Sequence, residues 1–141
     1  SVHQGFLKDE QKMTERIVTA LRNPAVTMLG HPTGRLLLSR EGYPLDIDAV
    51  LQACAETGTM VEINANPRRL ELDWRWGRRA RELGVMISIN PDAHAAAGLD
   101  DVRWGLSIAR KSGYAKENLL NTRPLEEVRT LLGSKRKKTG S

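Results

Sequence analysis

Short apolar runs alternate with helical patterns along this chain, and the alternation leaves few folds open to it. Residues 25–29, 60–63 and 85–89 are mostly apolar and rich in β-branched side chains, and Gly30, Asn64 and Asn90-Pro91 stop them. Each reads as a short buried strand. Ser1-Val2-His3 reads as the end of another, and residues 118–121 as a last short one. Between them, residues 9–22 place Met13, Ile17, Ala20 and Leu21 at helical spacing. A second helix starts on the cap Asp46, ends at Gly58 and carries Ile47, Val50, Leu51 and Cys54 as its apolar stripe. Residues 73–83 form a third, with Trp74, Gly77, Ala80 and Leu83 on its buried side, and residues 100–111 a fourth that uses Val102, Leu106 and Ala109. Pro124 opens the last, with Leu125, Val128, Leu131 and Leu132 as its apolar face. Alternation at this spacing predicts an α/β fold, a parallel sheet or barrel with helices outside. The chemistry of such folds sits where the C-terminal ends of the strands meet.

With 141 residues the chain is long enough for one domain with a real core, and its 40% hydrophobic and 28% charged content is an ordinary globular balance. The formal charge is +5, but Lys135-Arg136-Lys137-Lys138 supplies four of those charges, so the body is near neutral. The expected organisation is a domain over residues 1–133 and a basic, disordered tail over 134–141. No apolar run approaches the roughly 18 residues that a membrane span requires, and no signal-peptide pattern opens the sequence, so no membrane partner is expected. The single Cys54 has no internal disulfide partner, which makes a reducing cytoplasm the expected location. Phosphate-cradling GxxxxGK[ST] and GxGxxG patterns do not occur.

The chain has three histidines, and all of them fall at expected strand ends: His3, His31 and His94, with Asp92 two residues before the last. If the chain stays extended after Pro91, Asp92 and His94 point to the same side. A carboxylate and an imidazole so placed either hold a divalent metal or orient a general base; a capping Asp and a surface His are the plain alternative. In a parallel barrel, His3, His31, Asp92 and His94 would converge on one face. Imidazole and carboxylate without thiolate suit zinc, manganese or iron(II). Arg35, in a Gly-flanked loop after His31, is placed either to hold a phosphate bidentately or to pair with Glu41. Asn64 and Asn66 either bind substrate or form Asx turns, and Glu62, inside its strand, reads as structural.

These same stretches, Leu29-Gly30-His31-Pro32-Thr33-Gly34-Arg35, Glu62-Ile63-Asn64-Ala65-Asn66-Pro67 and Ile89-Asn90-Pro91-Asp92-Ala93-His94, followed by Gly98-Leu99-Asp100-Asp101, resemble the PHP (polymerase and histidinol phosphatase) domain. The closer resemblance is to the C-terminal PHP domain of bacterial family X DNA polymerases, over about residues 1–132. It implies a distorted seven-stranded (βα) barrel with up to three divalent ions, manganese or zinc and in some cases iron, at the strand ends. It also implies metal-assisted hydrolysis of phosphoesters, as in a 3′–5′ exonuclease acting on DNA 3′ ends.

By motif, His3, His31, Asp92 and His94 match metal ligands, with Asp92, His94 and His31 at the catalytic centre and His94 or His31 assisting proton transfer. Arg35, Asn64 and Asn66 fall in the substrate-binding role, Arg35 neutralising phosphate oxygens. The family's opening His-x-His motif, and the Asp, His and bridging Glu after it, would precede Ser1, so the expectation is the second half of such a domain. A cut barrel exposes strand edges, which makes self-association an expectation too. Two other readings stand beside the phosphoesterase: a non-catalytic scaffold or DNA-contact module, its basic tail doing the binding, and a small-molecule phosphatase of the histidinol-phosphate type.

Overall fold

The structure is a computed structural model that describes residues 1–5 and 9–138. Three parallel strands, β1 (Met28–Leu29), β2 (Met60–Asn64) and β3 (Ile87–Asn90), form a sheet in the order β1-β2-β3. Glu62 lies opposite Ser88, Ile63 opposite Ile89, and Asn64 opposite Asn90. Side chains alternate along a strand, so this register sorts the sheet into two faces. Ile63 and Ile89 share one face; Glu62, Asn64, Ser88 and Asn90 form a polar row on the other. Glu62, Asn64 and Ser88 are nonetheless buried.

The helices surround the sheet. In α1 (Glu10–Leu21), the cap Asp9 accepts from the Lys12 amide, and Met13, Ile17 and Leu21 are buried. They pack with Val50, Leu51 and Cys54 of α2 (Ile47–Thr57), together with Leu29 and Val61. Asp46 caps α2 by accepting from the Ala49 amide, and Gly58 ends it at φ +66°, the left-handed turn that glycine makes without a Cβ clash. In α3 (Trp74–Glu82), capped by Asp73, Gly77 and Ala80 are buried. A second core gathers Ile63, Ile87 and Ile89 with Ala109 of α4 (Val102–Lys111), Tyr114 and Leu119. The last helix is α5 (Leu125–Lys138). Among the described residues no helix is long and apolar enough to cross a membrane.

Several local expectations are corrected. Residues 1–3 form no strand, and β1 has two residues where five were expected. Residues 118–121 lie in 3-10 turns with a single parallel bridge, Ile87 to Leu119. A side chain substitutes for the missing ladder there: the Asn121 amide accepts from Ile89 N at 2.8 Å and donates to Ile89 O at 2.9 Å. The last helix runs to Lys138, past the expected boundary at Gly133; residues 139–141 of the expected tail lie outside the described residues.

The buried side of α4 also differs. Val102 and Leu106 are 42% and 38% exposed, while Gly105 and Ala109 are buried. A Cβ at Gly105 would lie 2.5 Å from Ile89 Cγ2 and 2.8 Å from Ala65 Cβ. The helix therefore docks through its smallest residues: of the three expected positions Ala109 is buried, while Val102 and Leu106 are not. Gly105→Val should lower the unfolding free energy by about 1–3 kcal/mol through overpacking. Leu106→Gln, on the exposed side, should change it by no more than about 0.5 kcal/mol. Urea unfolding of both variants checks this assignment.

Candidate functional site

The polar row of β2 ties together the loops that follow β1 and β3. Glu62 Oε2 accepts from the His31 amide at 2.6 Å, and its Oε1 accepts from Asn90 Nδ2 at 2.8 Å. Asn64 Nδ2 donates to Glu62 Oε2 at 3.3 Å and to Asp92 Oδ2 at 3.2 Å. His31 and Asp92 both leave their strands in left-handed backbone, at φ +28° and +52°. Side chains with a Cβ rarely adopt that region, and they do so mainly where surrounding contacts enforce it.

A second buried carboxylate fixes the loop after His31. Glu71 is fully buried; its Oε2 accepts from the Thr33 amide at 2.7 Å and from the Thr33 hydroxyl, and its Oε1 takes Arg69 Nη1 at 3.4 Å. The Tyr43 hydroxyl donates to the Pro32 carbonyl at 2.7 Å. Burial, reinforced by the Glu71 charge, pushes the Tyr43 phenol up to about 12, so it remains a donor at neutral pH. Arg35 turns inward: its Nε donates to the Arg69 carbonyl at 2.8 Å and its Nη2 to the Leu70 carbonyl. Its guanidinium thus holds the turn over residues 66–70, a use distinct from the phosphate contact its loop position suggested.

The four expected ligands form two pairs. His3 and His31 meet edge to face, with ring centroids 4.9 Å apart. The buried His31 Nδ1 has no hydrogen-bond partner. Burial, together with the Arg69 charge, lowers the His31 pKa, so the ring is neutral at pH 7 with a lone pair to offer. In the other pair, the left-handed Asp92 departs from the extended path that would aim both side chains one way. His94 instead turns back, and an Nδ1–H there donates to the Asp92 carbonyl at 2.8 Å, leaving Nε2 as the lone-pair nitrogen. Asp92 Oδ2 is 3.3 Å from Arg69 Nε. Among the described residues, no three His, Cys, Asp or Glu side chains gather as a metal site.

The neutral imidazole of His31, its Nδ1 unpartnered, lies beside His3 and fits one edge of a metal shell, and Asp92 is joined to that pair through Asn64 and Glu62. Asn64 and Asn66 do two things at once. Their Oδ1 atoms accept from Asn66 N and Arg68 N, at 3.1 and 2.9 Å, as Asx turns. Their Nδ2 groups face Asp92, at its carboxylate (3.2 Å) and its carbonyl (3.5 Å).

Asp92 and His94 open onto a cavity of about 480 Å³, which Leu36, Asn66, Arg68 and Arg69 also line. The adjacent Arg68 and Arg69 read in the sequence only as a local basic patch, and Glu71 did not stand out. The available signal was one carboxylate between Leu70 and Leu72, a position that isolates a charge among apolar neighbours.

No protein-family model matches the chain. It is 42% identical over 132 residues, 94% of its length, to the "DNA polymerase/3'-5' exonuclease PolX" of Bacillus subtilis, of which it spans 23%. It is 29% identical over 138 residues to a probable phosphatase of Thermoanaerobacter sp., covering 54% of that protein, and 30% identical over 123 residues to one of Shewanella sp., covering 46%. The chain thus spans about half the length of the phosphatases it matches and about a quarter of the polymerase.

Glu71→Gln removes the charge that receives Thr33 and Arg69, and should destabilise the fold by about 1.5–3 kcal/mol in urea unfolding. The His31 contribution has a pH signature. The folded ring resists protonation, so the unfolded chain takes up the proton first as pH falls below about 6.5. Stability contributed by the neutral ring is complete above that value and is lost as pH falls toward the folded pKa. The stability advantage over His31→Gln should therefore shrink between about pH 7.5 and pH 5, as read from paired unfolding curves.

Proposed function

We propose that this chain forms one side of a phosphoesterase site, as the second half of a PHP-type domain whose three strands here belong to a seven-stranded (βα) barrel. In the complete protein the site hydrolyses phosphoester bonds at DNA 3′ ends with the help of divalent ions. The observation that carries this reading is the pair of left-handed residues, His31 and Asp92, fixed by one polar row at the C-terminal ends of parallel strands. The names of the similar proteins, a 3′–5′ exonuclease and probable phosphatases, point to the same bond class.

His31, His3, Asp92 and His94 are the residues that would hold the ions. Bound there, manganese, zinc or iron(II) would supply Lewis acidity toward the phosphate oxygens and acidify water. The chain's own groups do the rest. His31 Nδ1 and His94 Nε2 present lone pairs, and either imidazole, where not committed as a ligand, accepts or returns a proton. Asn64 and Asn66 keep Asp92 in its left-handed turn. Arg69 shields the Asp92 charge and lies on the cavity wall, where its guanidinium meets the non-bridging oxygens of an entering phosphate. Arg35 is a positioning residue, acting through the turn that carries Arg69.

Asp92→Asn and His94→Ala should each lower manganese-dependent release of a 3′ nucleotide by at least about 100-fold in the complete protein, with circular dichroism unchanged. Elemental mass spectrometry of the same samples should show reduced metal content. Parent-like activity in both folded variants would remove the assignment.

A further inference from the structure

The loop after β1 ends in a feature that neither the core nor the proposed chemistry uses. Leu36 and Arg40 pair across a tight antiparallel turn, with Leu36 N donating to Arg40 O at 2.8 Å and Ser39 N to Leu36 O at 3.0 Å. At its tip Leu37 is 39% exposed and Leu38 fully exposed, and Leu38 holds left-handed backbone at φ +61°. A leucine is an unfavourable choice there twice over. Its Cβ opposes the conformation, and its side chain gives water a large apolar surface. Asn or Gly would serve a plain turn better.

The tip is not remote from the site. Leu37 N donates to the Arg68 carbonyl at 2.6 Å, which fastens the turn to the segment that walls the cavity. Leu36 and Arg68 line that cavity together with Asp92 and His94. Arg68 is exposed, and its guanidinium has no hydrogen bond or ion pair among the described residues. The cavity, about 480 Å³, is of the size that holds a nucleotide rather than a bare phosphate.

We propose that the 36–40 turn and Arg68 form a clamp for the terminal nucleotide of a nucleic-acid strand: Leu37 and Leu38 lie against the base, and the Arg68 guanidinium pairs with the adjoining backbone phosphate. The clamp rests on the phosphoesterase reading of the cavity and adds the residues that would discriminate a strand end from a small phosphomonoester. Apolar side chains that unstack a base and cations that meet its phosphate are a recurrent combination in nucleic-acid recognition.

The test uses the full chain and a single-stranded oligodeoxynucleotide with 2-aminopurine as its 3′-terminal base, titrated in EDTA so that no hydrolysis occurs. Leu38→Gly is the main variant, since glycine adopts the left-handed turn freely and the thermal midpoint should not fall. The parent should change the 2-aminopurine fluorescence on binding. Leu38→Gly should abolish most of that change, and Arg68→Gln should weaken binding about tenfold and reduce the salt slope by about one. With manganese restored, Leu38→Gly should depress kcat/KM for the oligonucleotide at least about tenfold more than for p-nitrophenyl phosphate. A parent that leaves the fluorescence unchanged, or a Leu38→Gly variant that binds and reports as the parent does, overturns the clamp. Failure of the parent to hydrolyse either ester would count against the phosphoesterase reading alone, because the fluorescence titration still decides the clamp.

Discussion

A single buried carboxylate joins the three strands. Glu62, 8% exposed on β2, accepts from the backbone of His31 just after β1 and from the Asn90 side chain at the end of β3. A carboxylate in such a place is tolerable only when its lone pairs are filled, and three N–H donors, those of His31, Asn64 and Asn90, fill them. The bond to His31 is made by backbone, so Glu62 sets the path of the chain there and not merely a rotamer. Everything the site requires follows from that path: where the His31 ring points, how it meets His3, and where the following loop begins.

The loops around the cavity are strained, and the buried carboxylates hold the strain. His31, Leu38, Leu70 and Asp92 are the non-glycine residues at positive φ among the described ones, and all four lie in the segments after the strands. Left-handed backbone costs an L-residue about 1–2 kcal/mol. Glu62 offsets that cost at His31, Asn64 and Asn66 do so at Asp92, and Arg35 does so at Leu70 through its carbonyl. Glu71 completes the enclosure by fixing Thr33. Leu38 differs in kind: its turn is held by backbone bonds between Leu36 and Arg40, and no side chain braces it.

Much of the fold was legible because its signals are local. Asp46 and Gly58 bound α2 through a cap and a left-handed turn, and both are written in residue type. The parallel arrangement followed from alternation. Legibility failed where a neighbour distant in sequence decides. Gly105 marks the buried side of α4 only because Ile89 and Ala65 lie against it, and apolar spacing alone selects Val102 and Leu106 instead. Asn121 replaces a strand by pairing one side-chain amide with Ile89, a use that a propensity for strand or turn does not express. At the site, position along the chain named His31, Asp92 and His94. The left-handed turn at Asp92 was not visible, because it depends on Asn64 and Asn66, which come from another strand end.

The arginines show most clearly how the fold allots chemistry. By sequence, Arg35 stands apart as a candidate phosphate contact, while Arg40, Arg68 and Arg69 read as ordinary cations near the same strand ends. Packing gives each a different task. Arg35 is spent on the Arg69 and Leu70 carbonyls, Arg40 on the Gly34 carbonyl, and Arg69 on Asp92 and Glu71. Each is a donor consumed in shaping the loops. Arg69 and Asp92 both line the cavity, with side chains 19% and 30% exposed. Arg68, one residue away, is held by its backbone alone, and its guanidinium has no hydrogen bond or ion pair among the described residues. The cavity wall thus carries one arginine tied to Asp92 and one without a side-chain partner among the described residues. The tied guanidinium is fixed in direction by two carboxylates, while the free one keeps its rotamers.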